Sequence, residues 1–400
     1  MKKFTLLFLI FLCIGFTNAQ GWAELTPVPQ QQTLQHVFFV DEITGYCVGK
    51  YGTIIKTING GLDWTIQNSG TTNNLYSVYC VDALTVYVVG DNGTILKTIN
   101  GGTNWFVPYS GTFSDWFYAI FFVDQNTGFV AGSVGTILKT TDGGINWIAQ
   151  VSGTTEPLNS IFFIDKNNGF AVGYSGVIVK TSNGGGLWTS QAIVNLPNLY
   201  SVFFTGINIG YVSGIDGLAG KGLIAKSTDG GLNWISQESG TSDRIMSICF
   251  ADENIGYAVG DRGTILKTIN GGSDWISQNS GTQEWLQSVY FIDTNNGFAV
   301  GTHGTIMKTT DGGGNSAGIN FLYSNNNCLI LSPNPAQGNI TINTPAAGTL
   351  SISNLNGQVM LQQEINEPKI RLDVSTLSSG IYFVQVTCEK KVQVGKFIKQ

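Results

Sequence analysis

Short apolar runs separated by Gly- and Asn-rich breaks recur along most of the chain. In one unit an aromatic run, Ile161-Phe162-Phe163-Ile164, is followed by Gly169-Phe170-Ala171-Val172-Gly173, by a run ending in Lys180-Thr181, and by a segment opening at Trp188. Runs of this length with aromatic and β-branched residues read as strands, and the Gly/Asn breaks read as tight turns. The tryptophans that open the fourth run, Trp64, Trp105, Trp147, Trp188, Trp234 and Trp275, lie 41, 42, 41, 46 and 41 residues apart. Four short strands at a fixed period of this size are the pattern of a propeller blade, a small sheet that buries both faces against its neighbours.

A seventh copy begins at Leu286 and runs to Asp311-Gly312-Gly313, but Ser316 stands where its tryptophan would fall. The missing piece is at the other end of the chain. There Trp22-Ala23-Glu24-Leu25 precedes the first aromatic run, Val37-Phe38-Phe39-Val40, by nearly the interval that follows every other repeat tryptophan. The pattern predicts an all-β protein: a seven-bladed β-propeller over 20–318, closed by an N-terminal strand that completes the last sheet and removes exposed edges. A Gly/Ser/Asn-rich linker over 319–327 and a small β-sandwich-like domain over 328–400 follow.

Within each unit the turn before the tryptophan is nearly invariant, as in Ser227-Thr228-Asp229-Gly230-Gly231-Leu232-Asn233-Trp234. This hairpin resembles the Asp-box, or BNR repeat, of sialidase-like propellers. The whole unit, with Gly-x-Ile-x-Lys-Thr before the box, resembles the Ycf48/Hcf136 family of photosystem II assembly factors. The box residues Asn59/Trp64, Asn100/Trp105, Asp142/Trp147, Asn183/Trp188, Asp229/Trp234, Asn270/Trp275 and Asp311 are read as structural. Asp or Asn takes local backbone hydrogen bonds, Gly supplies the conformation, and Trp covers the turn.

The C-terminal segment resembles the type A sorting domain of the type IX (Por) secretion system of Bacteroidota. The resemblance rests on Pro333-Asn334-Pro335, Asn356-Gly357-Gln358-Val359, Leu377-x-x-Gly380-Ile381-Tyr382 and Lys396-x-Ile398-Lys399, with Gln358 where arginine is common. It implies a partner, the type IX machinery, reached through 328–400. Residues 1–19 have the three parts of a secretory signal peptide, with cleavage expected after Ala19, and no other stretch has the length and hydropathy of a membrane span. The expected location is extracellular or on the outer cell surface. Because the tag belongs to exported proteins of largely non-photosynthetic bacteria, a literal role in photosystem assembly does not follow.

Charge narrows the partners. Over 20–318 there are 22 acidic against 12 basic residues, which disfavours nucleic acid and anionic membranes. Removing the leader leaves five cysteines, an odd number. Cys47, Cys80 and Cys249 sit inside apolar strands and read as small buried hydrophobes, while Cys328 and Cys388 are the remaining pair.

The residues offer no catalytic constellation. The propeller contains only Arg244 and Arg262, too few for the arginine triad of sialidases, and the two histidines, His36 and His303, lie in far-separated copies. No metal-ligand cluster or cofactor motif is visible, and turns such as Asp124-Gln125-Asn126-Thr127-Gly128 read as hairpins rather than calcium loops. A lysine precedes every box, from Lys56 to Lys308, and is read as a stem over apolar surface with its ammonium in water.

In a blade the turns joining strands two to three, and four to the next blade, emerge on the face away from the boxes, and the copies differ most there. At one interblade position stand Thr33, Asn74, Trp116, Pro157, Asn198, Arg244 and Trp285. The candidate binding residues on this face are Trp116, Tyr118, Arg244, Trp285, Tyr76, Tyr200, Arg262 and His303. The function these readings favour is a non-catalytic binding or scaffold propeller for a surface protein or glycan. The alternatives are a glycan-processing hydrolase of sialidase-like type and an assembly factor for a membrane complex.

Overall fold

A computed structural model of the chain describes residues 21–108, 115–192, 198–217, 220–314, 330–332, 335–343, 348–354, 358–367, 369–388 and 391–399. The expected signal peptide and linker, Ser316, Cys328, Pro333-Asn334 and Asn356-Gly357 lie outside them. The chain divides into two units, 1–315 and 316–400.

The described residues of the first unit form seven antiparallel sheets. The first comprises Leu34–Phe39, Gly45–Gly49, Ile54–Thr57 and Thr65–Gln67. Five more follow the same order from inner to outer strand, one of them with only three named strands and a bridge from Lys97 to Phe106 in the fourth position. The last sheet takes Leu286–Phe291, Gly297–Gly301 and Ile306–Thr309 from the end of the repeat region, and its outermost strand is Ala23–Glu24 from the beginning, paired antiparallel as Ala23 to Lys308. Trp22 takes the place of the missing box tryptophan: it is buried edge-on to Phe291 at 5.7 Å and to Tyr257. Trp64 stands in the same relation to Phe39, at 5.9 Å, and to Phe298. The first sheet also packs on the last, with Phe39 stacked on Phe298 at 4.3 Å.

The patterning explains each strand's place. Second strands such as Gly45-Tyr46-Cys47-Val48-Gly49 are buried along their whole length between two neighbouring sheets, whereas fourth strands such as Ile148–Gln150 lie largely exposed at the outer edge. Cys47, Cys80 and Cys249 are buried free thiols, pushed up in pKa by burial, Cys249 to about 12. Cys80 replaces the phenylalanine that Phe39 and its equivalents bring to the inter-sheet stack. Among the described residues no helix is long and apolar enough to cross a membrane.

The boxes are closed locally. The Thr57 hydroxyl donates to Asn59 Oδ1 at 3.0 Å and accepts from Gly61 N at 2.9 Å, while Asn59 Oδ1 accepts from Asp63 N at 3.0 Å. Gly61 has φ +74°, and a Cβ there would lie 2.5 Å from the Phe298 ring of the preceding blade, so only Gly fits.

The box lysines differ from the expectation that their ammonium groups sit in water. Each Nζ donates to a glycine carbonyl in the box of the next blade: Lys56 to Gly101, Lys97 to Gly143, Lys139 to Gly184, Lys180 to Gly230, Lys226 to Gly271, Lys267 to Gly312, and Lys308 back to Gly60, all at 2.6–2.8 Å. Each also lies over an aromatic ring of its own second strand, as Lys139 does over Phe129 at 5.6 Å. The orphan carbonyl in a tight Gly-Gly turn needs a donor, and the nearest one is across the blade boundary. Burial lowers the pKa of Lys56, Lys97, Lys267 and Lys308.

The second unit is a pair of sheets, one of Ile330–Ser332, Asn339–Asn343 and Lys369–Asp373, the other of Val359–Ile365, Gly348–Asn354, Gly380–Cys388 and Lys391–Lys399. Ile340, Ile342, Leu372, Leu350, Ile352, Val384, Val386 and Phe397 from both sheets share one core, so the unit is a small β-sandwich.

A funnel on the face opposite the boxes

Every innermost strand of the propeller carries a β-bulge at its second conserved position, where the register slips between Leu34 and His36, Leu75 and Ser77, Leu158 and Ser160, Leu199 and Ser201, Ile245 and Ser247, and Leu286 and Ser288. In the remaining copy the slip is read on the partner strand and Tyr118 is the extra residue. A bulge leaves one residue out of the ladder and re-aims its side chain. Here the extra residues are Gln35, Tyr76, Tyr118, Asn159, Tyr200, Met246 and Gln287, and all seven line one central cavity of about 380 Å³.

The residue after each bulge makes the floor. Ser288 Oγ accepts from Val37 N, Ser77 Oγ from Ile120 N, Ser160 Oγ from Val202 N, Ser201 Oγ from Ile248 N, and Ser247 Oγ from Val289 N, each at 3.3–3.4 Å across a blade boundary. His36 fills the same position in the first copy, its Nδ1 accepting from Val78 N at 3.4 Å, and Ala119 fills it in the third. Burial holds the His36 imidazole down to about 4, so it is neutral at physiological pH and its Nδ1 is free to accept from Val78 N. Below the floor, Phe38, Tyr79, Phe121, Phe162, Phe203 and Tyr290 surround the axis, successive rings from Phe38 to Phe203 lying 4.9–5.3 Å apart and Tyr290 5.0 Å from Phe38. Cys249 takes the seventh place in that ring.

In six of the seven blades the rim is built from the two loops stapled together, and in the fifth the strands Gly210–Asp216 and Lys221–Ser227 extend past that point. Backbone N–H groups of the two-to-three turns donate to the interblade residue, as Ser133 N does to Trp116 O at 2.8 Å and Thr302 N to Trp285 O at 2.9 Å. The closeness requires glycine at the end of the second strand, for a Cβ on Gly301 would sit 2.0 Å from Trp285 O. The turns themselves put Tyr51, Asn92, Val134, Ser175, Arg262 and His303 at φ +51° to +55°, each followed by Gly. Asn is the local preference at such a position, so the bulky Tyr51, Val134, Arg262 and His303 are held there against it.

Of the eight candidates drawn from sequence, Tyr76, Trp116, Tyr118 and Tyr200 line the funnel. Arg244 and Trp285 form a pair beside it: the guanidinium lies 5.2 Å over the Trp285 ring and is held by Asp261, Nε to Oδ2 at 2.6 Å and Nη2 to Oδ1 at 3.2 Å. Arg262 is paired with Asp243, and His303 Nδ1 lies 2.7 Å from Glu284 Oε2, at the turns outside the lining. The bond from Asp261, ahead of burial, raises the Arg244 pKa, and the hydroxyl of Thr302 followed by His303 lowers that of Glu284. Burial raises the phenols of Tyr76, Tyr118 and Tyr174, which stay protonated donors. Tyr76 and Tyr118 meet edge-to-face at 5.5 Å, and Tyr174 meets Tyr200 at 6.4 Å.

Sequence reasoning missed Gln35, His36, Asn159, Met246 and Gln287, whereas Tyr174 stands in a two-to-three turn of the varied face. A signal was present: directly after the repeating Leu, Phe or Ile the residue is Gln, Tyr, Tyr, Asn, Tyr, Met and Gln, while its neighbours repeat. Among the described residues that line the funnel none is Asp, Glu, Lys or Arg, and no three His, Cys, Asp or Glu side chains among the described residues cluster to hold a metal.

The model of the family "Photosynthesis system II assembly factor YCF48" matches residues 15–161, 111–193 and 227–320, and that of the "Secretion system C-terminal sorting domain" matches 331–400. Among solved structures the chain is similar to YCF48 bound to D1 peptide, at 20% identity over 73% of this chain and 97% of that one, TM-score 0.63. It is also similar to YCF48 from Cyanidioschyzon merolae, at 19% identity over 72% and 98%, TM-score 0.60. A third is PorZ, a bacterial surface component of the type-IX secretion system of Porphyromonas gingivalis, at 13% identity over 89% and 58%, TM-score 0.54. At such identities the likeness is one of fold. No curated protein matches in sequence.

Proposed function

The chain belongs to the photosynthesis system II assembly factor YCF48 family, and from that premise we propose that it is an exported binding or scaffold propeller that holds its ligand in the central funnel without transforming it. Its sorting domain implies export by a type IX system to the cell surface or extracellular space. Residues 1–19 would start that route as a signal peptide, and 328–400 would engage the machinery.

One observation carries the binding reading. Seven copies of a repeat build the same backbone, yet the one residue per copy that a bulge turns toward the axis is varied, giving Gln, Tyr, Asn and Met where the neighbouring positions stay Leu and Ser in most copies. Packing explains the constant positions and leaves the varied ones to a ligand. A hydrolase of glycosidase type needs two carboxylates flanking the scissile bond, and the described lining contains none. The reading of an assembly factor for a membrane complex has a specific support of its own, the family relation to a protein solved with a D1 peptide; the funnel would then hold a polypeptide segment.

The test is a binding array of glycans and surface proteins on the purified chain, run beside a hydrolase screen. Tyr118→Ala and Trp116→Ala are expected to weaken binding tenfold or more with the melting temperature unchanged. Arg244→Ala and Trp285→Ala, beside the funnel, should weaken it less, and Trp147→Ala in a box should lower stability and spare binding. Turnover of a glycan, or loss of binding confined to box variants that remain folded, would overturn the proposal.

A further inference from the structure

We propose that the funnel takes a neutral saccharide of about disaccharide size. This rests on the binding reading above and gives it a ligand class. The cavity of about 380 Å³ lies at the small end of the range for ligand pockets, ~300–1,000 Å³, and a second cavity of about 170 Å³, ringed by the aromatic side chains around the axis, continues from its floor and shares His36, Ser160, Ser201 and Ser247 with it.

The wall chemistry is divided. Tyr76, Trp116, Tyr118, Tyr174 and Tyr200, from the second to fifth copies, present aromatic faces along one arc, and Gln35 and Gln287 present amides on the other. Asn159 of the fourth copy lies within the aromatic arc, between Tyr118 and Tyr200, with its amide nitrogen already donating to Leu199 O at 2.8 Å, which leaves its carbonyl oxygen to accept. A pyranose has the matching two surfaces, an apolar face of C–H groups for the rings and a rim of hydroxyls for amides, phenols and serine hydroxyls.

Charge and backbone argue against other occupants. The described lining is uncharged, and the rim cations Arg244, Arg262 and His303 are engaged by Asp261, Asp243 and Glu284, so an anionic sugar finds no free counter-charge in these three. An extended peptide would seek the inner strand edges. At the funnel floor six of those N–H groups are already taken by Ser77, Ser160, Ser201, Ser247, Ser288 and His36.

The experiment is calorimetry and saturation-transfer NMR on the full chain with maltose, cellobiose, chitobiose, mannobiose and lactose, with sialyllactose as the charged control and uncharged apolar hexapeptides as competitors. At least one neutral disaccharide should bind at millimolar concentration or below. Tyr118→Ala and Gln287→Ala should each weaken it tenfold or more, Tyr118→Phe should restore most of the affinity, and Arg262→Ala should leave it within twofold. Absence of neutral-sugar binding, or sialyllactose binding better than lactose, overturns the saccharide inference. Hexapeptides that bind and lose affinity with Tyr118→Ala also overturn it while leaving the funnel as the binding site; sugar binding indifferent to both alanine variants overturns the funnel itself.

Discussion

The two faces of the propeller are made by the same seven repeats and use them in opposite ways. On the box face each copy repeats the same bonds: a Thr or Ser hydroxyl shared between Asp or Asn and Gly, and a lysine reaching the carbonyl of the next box. On the funnel face each copy repeats a bulge, six of the seven repeat a tight turn stapled to the interblade loop while the fifth has the longer hairpin of Gly210–Asp216 and Lys221–Ser227, and the side chain at the bulge varies. Sevenfold identity marks what holds the ring together. The varied positions, four residue types over seven copies, are the ones the proposed ligand would read.

The largest test of this division is ring closure. Deleting 21–25 removes Trp22 from its place against Phe291 and Tyr257 and exposes the edge of Ile306–Thr309. Loss of a buried Trp alone costs about 3–5 kcal/mol, so thermal unfolding is expected about 10 °C or more lower; an unchanged melting temperature would mean that the box side does not carry closure. Next in size are the lysines. Lys139→Met strips the donor from Gly184 O in a copy where the ring beneath is Phe129, and should cost about 1–3 kcal/mol by chemical denaturation. Lys97→Met should cost less, because the Tyr87 hydroxyl also donates to Gly143 O, at 2.6 Å.

A residue of the funnel floor sharpens the comparison, since His36 holds the ring and opens into the cavity. Its folded pKa of about 4 lies below the unfolded value of 6.5, so the unfolded chain binds a proton first and stability falls as pH drops through that window. His36→Ser, which restores the residue of most other copies, should flatten melting temperature against pH between about 6.5 and about 4. The carboxylate of Asp229, held down to about 2 chiefly by the backbone N–H of Asn233, acts in the other window: its contribution is present above the unfolded pKa and lost below about 4. Smallest is the rim turn. Val134→Asn places a residue suited to φ +54° and should stabilise by about 1 kcal/mol, with binding the only property at risk.

The amino-acid sequence alone determined the period, the four-strand unit, the place of the boxes, the substitution of Trp22 for the absent tryptophan near Ser316, and the separate C-terminal unit. These features are written in contiguous residues: hydrophobic alternation, Gly-Gly turns and the local hydroxyl-to-Asx bonds act over a few positions and recur in register. Four of the thirteen residues that line the funnel were among the candidates for the same reason, because Trp116 and the three tyrosines break the repeat visibly. Tertiary structure decided the rest. Whether Gln35, Asn159, Met246 and Gln287 face the axis depends on a bulge that shifts the strand's side-chain parity by one, and period-two alternation cannot show that shift. The lysine ring and the serine-histidine ring join residues 42–46 apart in most copies, and 248 or 251 apart where the circle closes, so they exist only once the blades are side by side.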